Sequence, residues 1–225
     1  MISIEDNYRR LRESIPEQVT LVVAAKQRTA QEVREVIRAG ATDIGENYVQ
    51  QGEEAFLALD EKARTVRWHL IGHLQRNKIN KALKVFDLFQ TIDSIETAAA
   101  VNKRVPSSVK TVVPVLIEVN IGAEESKAGI GPQFENIQRL AMYIAGTEFL
   151  QLEGLMTIGP LAGNPEDSRP YFRQTRAIFE NLNALRLPGV RMKTLSMGMS
   201  NSYRIAIEEG SNMVRVGTAI FGPRG

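Results

Sequence analysis

The residues best placed by type and spacing to do chemistry lie near the two ends of the chain. Early on, Val19–Lys26 (Val-Thr-Leu-Val-Val-Ala-Ala-Lys) is an uncharged, largely β-branched run that ends on a primary amine. Such a run predicts a strand buried on both faces, and α/β proteins place reacting groups at the carboxyl ends of such strands. A low-dielectric setting favours the uncharged amine that attacks a carbonyl; a lysine that merely snorkels out of a strand end has the same pattern. Late in the chain, Ser196-Met197-Gly198-Met199-Ser200 and Gly217-Thr218-Ala219 combine glycines with hydroxyls. Gly198 and Gly217 would let backbone N–H groups approach an anion, and Ser200 and Thr218 would add hydroxyls. Either segment alone reads as a turn with a helix cap. Together they predict a phosphate site, and a phosphate facing a strand-end lysine predicts a phosphorylated aldehyde or ketone held as an imine.

These groups need a scaffold that brings both chain ends to one place. Ile4, Tyr8, Leu11 and Ile15 share one helical stripe, so residues 3–14 read as an amphipathic helix stopped by Pro16. After the first strand, Thr29 caps a helix over Ala30–Ala39 that Gly40 ends. Strands then follow at Thr42–Gly45, Val66–Ile71, Leu88–Ile92, Val112–Val119, Leu152–Ile158, Lys193–Met197 and Met213–Val216. Between them run helices: one through Phe56 and Leu59, a basic one over Asn77–Leu83, an alanine-rich one from Asp93-Ser94, then 133–145, Pro165–Arg186 and Asn201–Glu209. About eight alternations of strand and helix with short connections predict a (β/α)8 barrel in one domain, residues 1–225, with a doubly wound open sheet as the alternative. In a barrel, Lys26, Asn47, His73, Ser94, Asn120, Thr157 and Ser200 all lie at or just past the carboxyl ends of strands and would share one mouth.

Composition narrows the classes of function. Of 225 residues, 43% are hydrophobic and 24% charged, which is ordinary for a globular protein. A net charge of +2 gives no argument for nucleic acid, and the absence of cysteine excludes disulfides and thiolate chemistry. The opening Met-Ile-Ser-Ile-Glu-Asp lacks a signal-peptide pattern, and no apolar run approaches the roughly 20 residues of a membrane span; a cytoplasmic protein without membrane contact is the expectation. His69 and His73 lie four apart across a strand end without a metal partner, so a hydrogen-bonding core histidine is expected and no metal site. Glu124, Glu125 and Lys127 read as a solvated loop from which Lys127 could reach the mouth. The basic run Arg76–Lys84 reads as a solvated face.

The stretches Ala24-Ala25-Lys26, Ile44–Gln50 (Ile-Gly-Glu-Asn-Tyr-Val-Gln), Trp68–Gln75, Glu118–Ile121, Gly154–Met156, Leu195–Ser200 and Val214–Gly222 resemble the pyridoxal 5′-phosphate (PLP) homeostasis proteins, the YggS/PROSC group. The resemblance runs nearly end to end. It implies a barrel like the N-terminal domain of alanine racemase with PLP at its mouth. Lys26 matches the family's Schiff-base lysine, Ser200, Gly217 and Thr218 its phosphate contacts, Arg215 the residue facing the pyridine nitrogen, and Asn47 a position near the ring hydroxyl. Ala25 and Gln27 stand where many members carry hydroxyl residues, and Ser202 where an acidic residue is common, which touches peripheral contacts only. The implied function is a non-catalytic, monomeric PLP carrier or regulator of vitamin B6 and amino-acid balance, with apo PLP-enzymes as candidate recipients of the cofactor. A PLP-dependent racemase is the alternative, and a cofactor-free Schiff-base aldolase a third. Racemisation needs two acid/base groups, and with Gly225 following closely on the eighth strand no second domain is expected to supply the other; Tyr48 is the residue able to upset that expectation.

Overall fold

The computed structural model describes residues 3–124, 127–159 and 164–223. Eight strands, β1 (Thr20–Ala24), β2 (Asp43–Glu46), β3 (Arg67–Leu70), β4 (Leu88–Ile92), β5 (Val113–Val119), β6 (Leu150–Thr157), β7 (Thr194–Ser196) and β8 (Met213–Val216), pair in parallel in chain order. The sheet closes where Thr20–Val23 of β1 meet Met213–Val216 of β8. Closure rules out the open doubly wound sheet.

Helices α1 (Ile4–Glu13), α2 (Ala30–Arg38), α3 (Val49–Leu59), α4 (Ile79–Val85), α5 (Ile95–Asn102), α6 (Phe134–Ala145), α7 (Arg169–Ala184), α8 (Tyr203–Glu208) and α9 (Thr218–Phe221) ring the barrel. The last of these, four residues long, is too short to show a helical period in the sequence. Because α9 is short, α1 packs between α2 and α9 and fills the gap in the ring. The side chain of Asn7 donates to the Ile220 carbonyl at 3.0 Å and Tyr8 Oη to the Gly40 carbonyl at 3.2 Å, which fix that docking. The Thr29 cap forms as expected: its hydroxyl accepts from the Glu32 N–H, while the Glu32 carboxylate accepts from the Thr29 N–H, a reciprocal capping box.

Strand parity divides the core into two layers. Val22, Leu88, Leu116, Met156 and Met213 fill the barrel interior. Leu21, Val23, Ile44, Trp68, Leu70 and Phe89 face outward into the larger layer beneath the helices. There Trp68 packs edge-on to Phe56 with centroids 5.9 Å apart and donates Nε1–H to the Ala63 carbonyl at 2.9 Å. One irregularity shapes the wall. The β5–β6 register jumps from Val115↔Leu152 to Leu116↔Gly154, a bulge that leaves Gly154 at φ +151°, and a Cβ there would lie 1.8 Å from the Thr194 carbonyl oxygen. Only glycine allows β7 to come that close.

Several boundaries differ from expectation. β1 stops at Ala24, two residues before Lys26, because Gln27 turns the chain through a left-handed φ of +60° on the way to α2. The basic segment begins as a 3-10 turn over Arg76–Lys78 before α4. β7 is three residues long.

Candidate functional site

One cavity of about 470 Å³ opens at the carboxyl ends of β1, β2, β3, β6, β7 and β8. It is lined by Ala24, Lys26, Asn47, Ile71, Ile158, Met199, Ser200, Asn201, Arg215, Gly217 and Thr218, and so brings together all six residues singled out in the sequence. Lys26 is half-buried. Its Nζ sits 5.4 Å from the ring centroid of Tyr48, a cation–π contact on the face of a half-exposed tyrosine.

On the other side of the sequence, Ser200 Oγ accepts a long hydrogen bond from the Ala219 N–H at 3.4 Å, tying the loop after β7 to the first turn of α9. Gly217 is needed for close approach: a Cβ would lie 2.7 Å from the Ala24 carbonyl oxygen. Gly198 plays a different part from the one expected. It is buried at φ +96°, and a Cβ there would fall 2.6 Å from Ala206 Cβ, so its lack of a side chain packs the loop onto α8 and does not open the backbone to this cavity.

Arg215 forms the polar floor. Its Nη1 donates to Ser196 Oγ at 2.7 Å and to the Ser196 carbonyl at 2.9 Å, and its Nη2 donates to the Thr157 carbonyl at 2.7 Å. Burial pulls this guanidinium down to about 10, against the opposing charge of Glu118, so it stays a cation. Burial, with the like charge of Asp93 behind it, pushes Glu118 up to about 7 although Arg215 opposes the shift.

The remaining strand-end residues serve the scaffold. Ser94 caps α5 by accepting from the Thr97 N–H. Asn120 braces the loop after β5, donating to the Glu124 and Lys127 carbonyls. Thr157 donates its hydroxyl to the Val119 carbonyl at 2.7 Å. His73 is exposed and sits 3.8 Å from an Asp93 carboxylate oxygen, beside a second groove that Asn47 and Tyr48 share. Lys127 pairs with Glu124 at 2.5 Å and donates to the Gly159 carbonyl at 3.1 Å, off the cavity; Glu125 lies outside the described residues. His69 is the buried, hydrogen-bonded core histidine expected, at 2.8 Å from Asp43 Oδ1. Among the described residues no cluster of His, Asp and Glu could hold a metal, and no helix is long and apolar enough to cross a membrane.

Ile71, Met199 and Asn201 line the cavity without having been singled out. Strand parity would have found Ile71, since it follows the inward-facing His69 by two, just past the end of β3. Asn201, one residue beyond Ser200, carried no separate signal.

A parallel eight-stranded barrel with a lysine, hydroxyls and a buried arginine at its mouth defines a class, and comparison with known proteins gives the family. Residues 2–225 match the model of the alanine racemase N-terminal domain. The chain is 39% identical to the pyridoxal phosphate homeostasis protein of Haemophilus influenzae over 92% of its own length and 85% of that protein's. It is 40% identical to the protein of the same name in Aquifex aeolicus, over 91% and 86%. Among solved structures it superposes on PipY of Synechococcus elongatus with PLP bound at a TM-score of 0.87 and 29% identity, covering 98% of this chain and 100% of that one. The chain belongs to the pyridoxal phosphate homeostasis protein family.

Proposed function

We propose that this chain holds PLP in the mouth cavity through Lys26 and acts as a monomeric carrier of the cofactor, in vitamin B6 and amino-acid homeostasis, without turning over amino acids. The observation that carries this is the convergence of an amine, two hydroxyls and a guanidinium on one cavity of about 470 Å³, a volume ordinary for a small-ligand site.

The donor set fits the group on each side. PLP supplies an aldehyde that a primary amine captures with loss of one water, and Lys26 is the lysine that lines the cavity. Ser200 and Thr218 offer hydroxyls to a phosphate dianion, and Gly217 keeps the wall free of side chain there. Bonds to a charged acceptor are about twice as strong as neutral ones, so this end dominates affinity. Arg215 is anchored by Ser196 and Thr157, and a permanent cation at the ring nitrogen disfavours a proton on it. Asn47 is assigned to the ring hydroxyl.

The carrier reading draws on what the lining lacks. Moving a proton from one face of an amino acid to the other needs two positioned acid/base groups. Among the described lining residues, Lys26 and Arg215 are the ionisable side chains, and Arg215 stays a cation, which leaves Lys26 as a single acid/base group. Tyr48 meets it with its ring face. The test is to load the protein and incubate it with L- and D-alanine and other amino acids in deuterated water. No exchange at Cα above background is expected. Exchange with inversion at enzyme-like rates, lost in Lys26→Ala, would overturn the carrier reading in favour of a racemase.

A further inference from the structure

The interior of the barrel below this cavity is not apolar throughout. A file of polar side chains from five strands crosses it: Asp43 on β2, His69 on β3, Gln90 on β4, Ser196 on β7 and Arg215 on β8, none more than 9% exposed. Successive contacts are short: Asp43 Oδ1 to His69 Nε2 2.8 Å, His69 Nδ1 to Gln90 Nε2 2.9 Å, Gln90 Oε1 to Ser196 Oγ 2.6 Å, and Ser196 Oγ to Arg215 Nη1 2.7 Å.

Elementary chemistry fixes the direction of every bond. Asp43 sits low in the carboxylate range: burial opposes ionisation, but His69, the Thr42 hydroxyl and Arg67 outweigh it. A carboxylate only accepts, so His69 Nε2 must donate to it. Burial holds the imidazole neutral against the pull of Asp43, so Nδ1 is an acceptor and Gln90 Nε2 donates to it. The second N–H of Gln90 meets Met213 Sδ at 3.2 Å. Gln90 Oε1 therefore faces Ser196, whose hydroxyl has to donate, leaving its lone pairs to Arg215. A reversed amide would set oxygen against the Nδ1 lone pair. The file runs from a cation at the mouth to an anion at the far end, with each donor polarising the next.

We propose that Gln90, backed by the His69–Asp43 pair, is a positioning residue for Arg215: it fixes the polarity of the Ser196 hydroxyl and so aims the guanidinium at the acceptor nitrogen of the bound ring. The inference rests on the reading that Arg215 faces that nitrogen. A file this well matched is expensive to leave half-made, since each unpartnered buried group carries its own desolvation cost. Three of the five N–H groups of Arg215 go to Ser196 and Thr157. Without Ser196 as an oriented acceptor the group keeps its charge but loses its aim.

The experiment compares the affinity of the protein for PLP and for its deaza analogue, in which C–H replaces the ring nitrogen. Wild type should prefer PLP by about tenfold, the worth of one hydrogen bond to a charged group. Gln90→Met, close in volume, should cut the preference to about twofold while leaving the affinity for the analogue unchanged. If folded Gln90→Met keeps the full preference and Arg215→Lys loses it, the positioning role is overturned and the Arg215 reading stands. If wild type shows no preference, the Arg215 reading fails and this inference with it. A second measurement needs no cofactor and leaves the file intact: nitrogen NMR of the unliganded protein, with His73→Gln removing the other of its two histidines. His69 should be the neutral Nε2–H tautomer through the neutral pH range. A proton on Nδ1 in that range would overturn the polarity of the file.

Discussion

Replacing Glu46 by glutamine should make this protein more stable at alkaline pH and not at acid pH. Glu46 ends β2, one residue before Asn47, and is 1% exposed. Among the described residues its Oε2 has no hydrogen-bond partner. Burial pushes its carboxyl up to about 8 from an ordinary 4.5, while the N–H of Asn47 opposes the shift. The unfolded chain therefore releases this proton near 4.5 and the native protein near 8. Below 4.5 both states are protonated and the group costs nothing; between 4.5 and 8 the native state binds more protons than the unfolded one, and stability falls as pH rises. At about 1.4 kcal/mol per pH unit the loss reaches about 3–5 kcal/mol by pH 8. Glutamine keeps the shape and removes the titration, but its amide needs a partner, at a cost of about 1–3 kcal/mol. Glu46→Gln should thus be equal to or less stable than wild type near pH 5 and about 2 kcal/mol more stable near pH 9. Urea unfolding of both proteins across this range cancels every other titrating group they share. A stability difference that does not change with pH would refute the reasoning.

Three further outcomes are expected. Gly154→Ala should destabilise the protein by more than about 3 kcal/mol, because a Cβ would lie 1.8 Å from the Thr194 carbonyl oxygen; near-wild-type urea unfolding would show that β6 and β7 can part cheaply. Thr29→Ala should cost about 1 kcal/mol by the same assay, since it removes the side-chain half of the α2 capping box, and no loss would mean the helix end is satisfied otherwise. Ser200→Ala with Thr218→Val should weaken PLP binding by at least about tenfold with little effect on unphosphorylated pyridoxal; equal affinities of wild type for the two ligands would place the phosphate elsewhere.

Most of the fold was legible because buried parallel strands announce themselves as apolar runs and their spacing allows only a few architectures. The cavity was legible for a related reason: once eight strands are in order, residues such as Lys26, Asn47 and Thr218 must meet at one rim. What stayed hidden depends on individual side-chain and backbone contacts. Nothing about glutamine announces the positive φ of Gln27 that shortens β1, whereas the glycine of Gly154 permitted but did not reveal a bulge. Gly198 read as an opening for an anion because glycine gives freedom without saying what uses it; here Ala206 does. The polar file was half visible. Gln90, inside the apolar Leu88–Ile92, is a polar residue on a buried strand and signals a partner, but which partner depends on the closure that sets β4 across from β7 and β8.

The central claim is that Lys26 holds the cofactor. Borohydride treatment of the PLP-loaded protein, followed by digestion and peptide mass mapping, reads it directly. The phosphopyridoxyl group should be found on the peptide containing Lys26 and be absent from Lys26→Ala, which should remain folded because one half-buried rim residue adds little to the core. Modification of Lys127 or Lys193 in its place, or undiminished trapping by Lys26→Ala, would contradict the account.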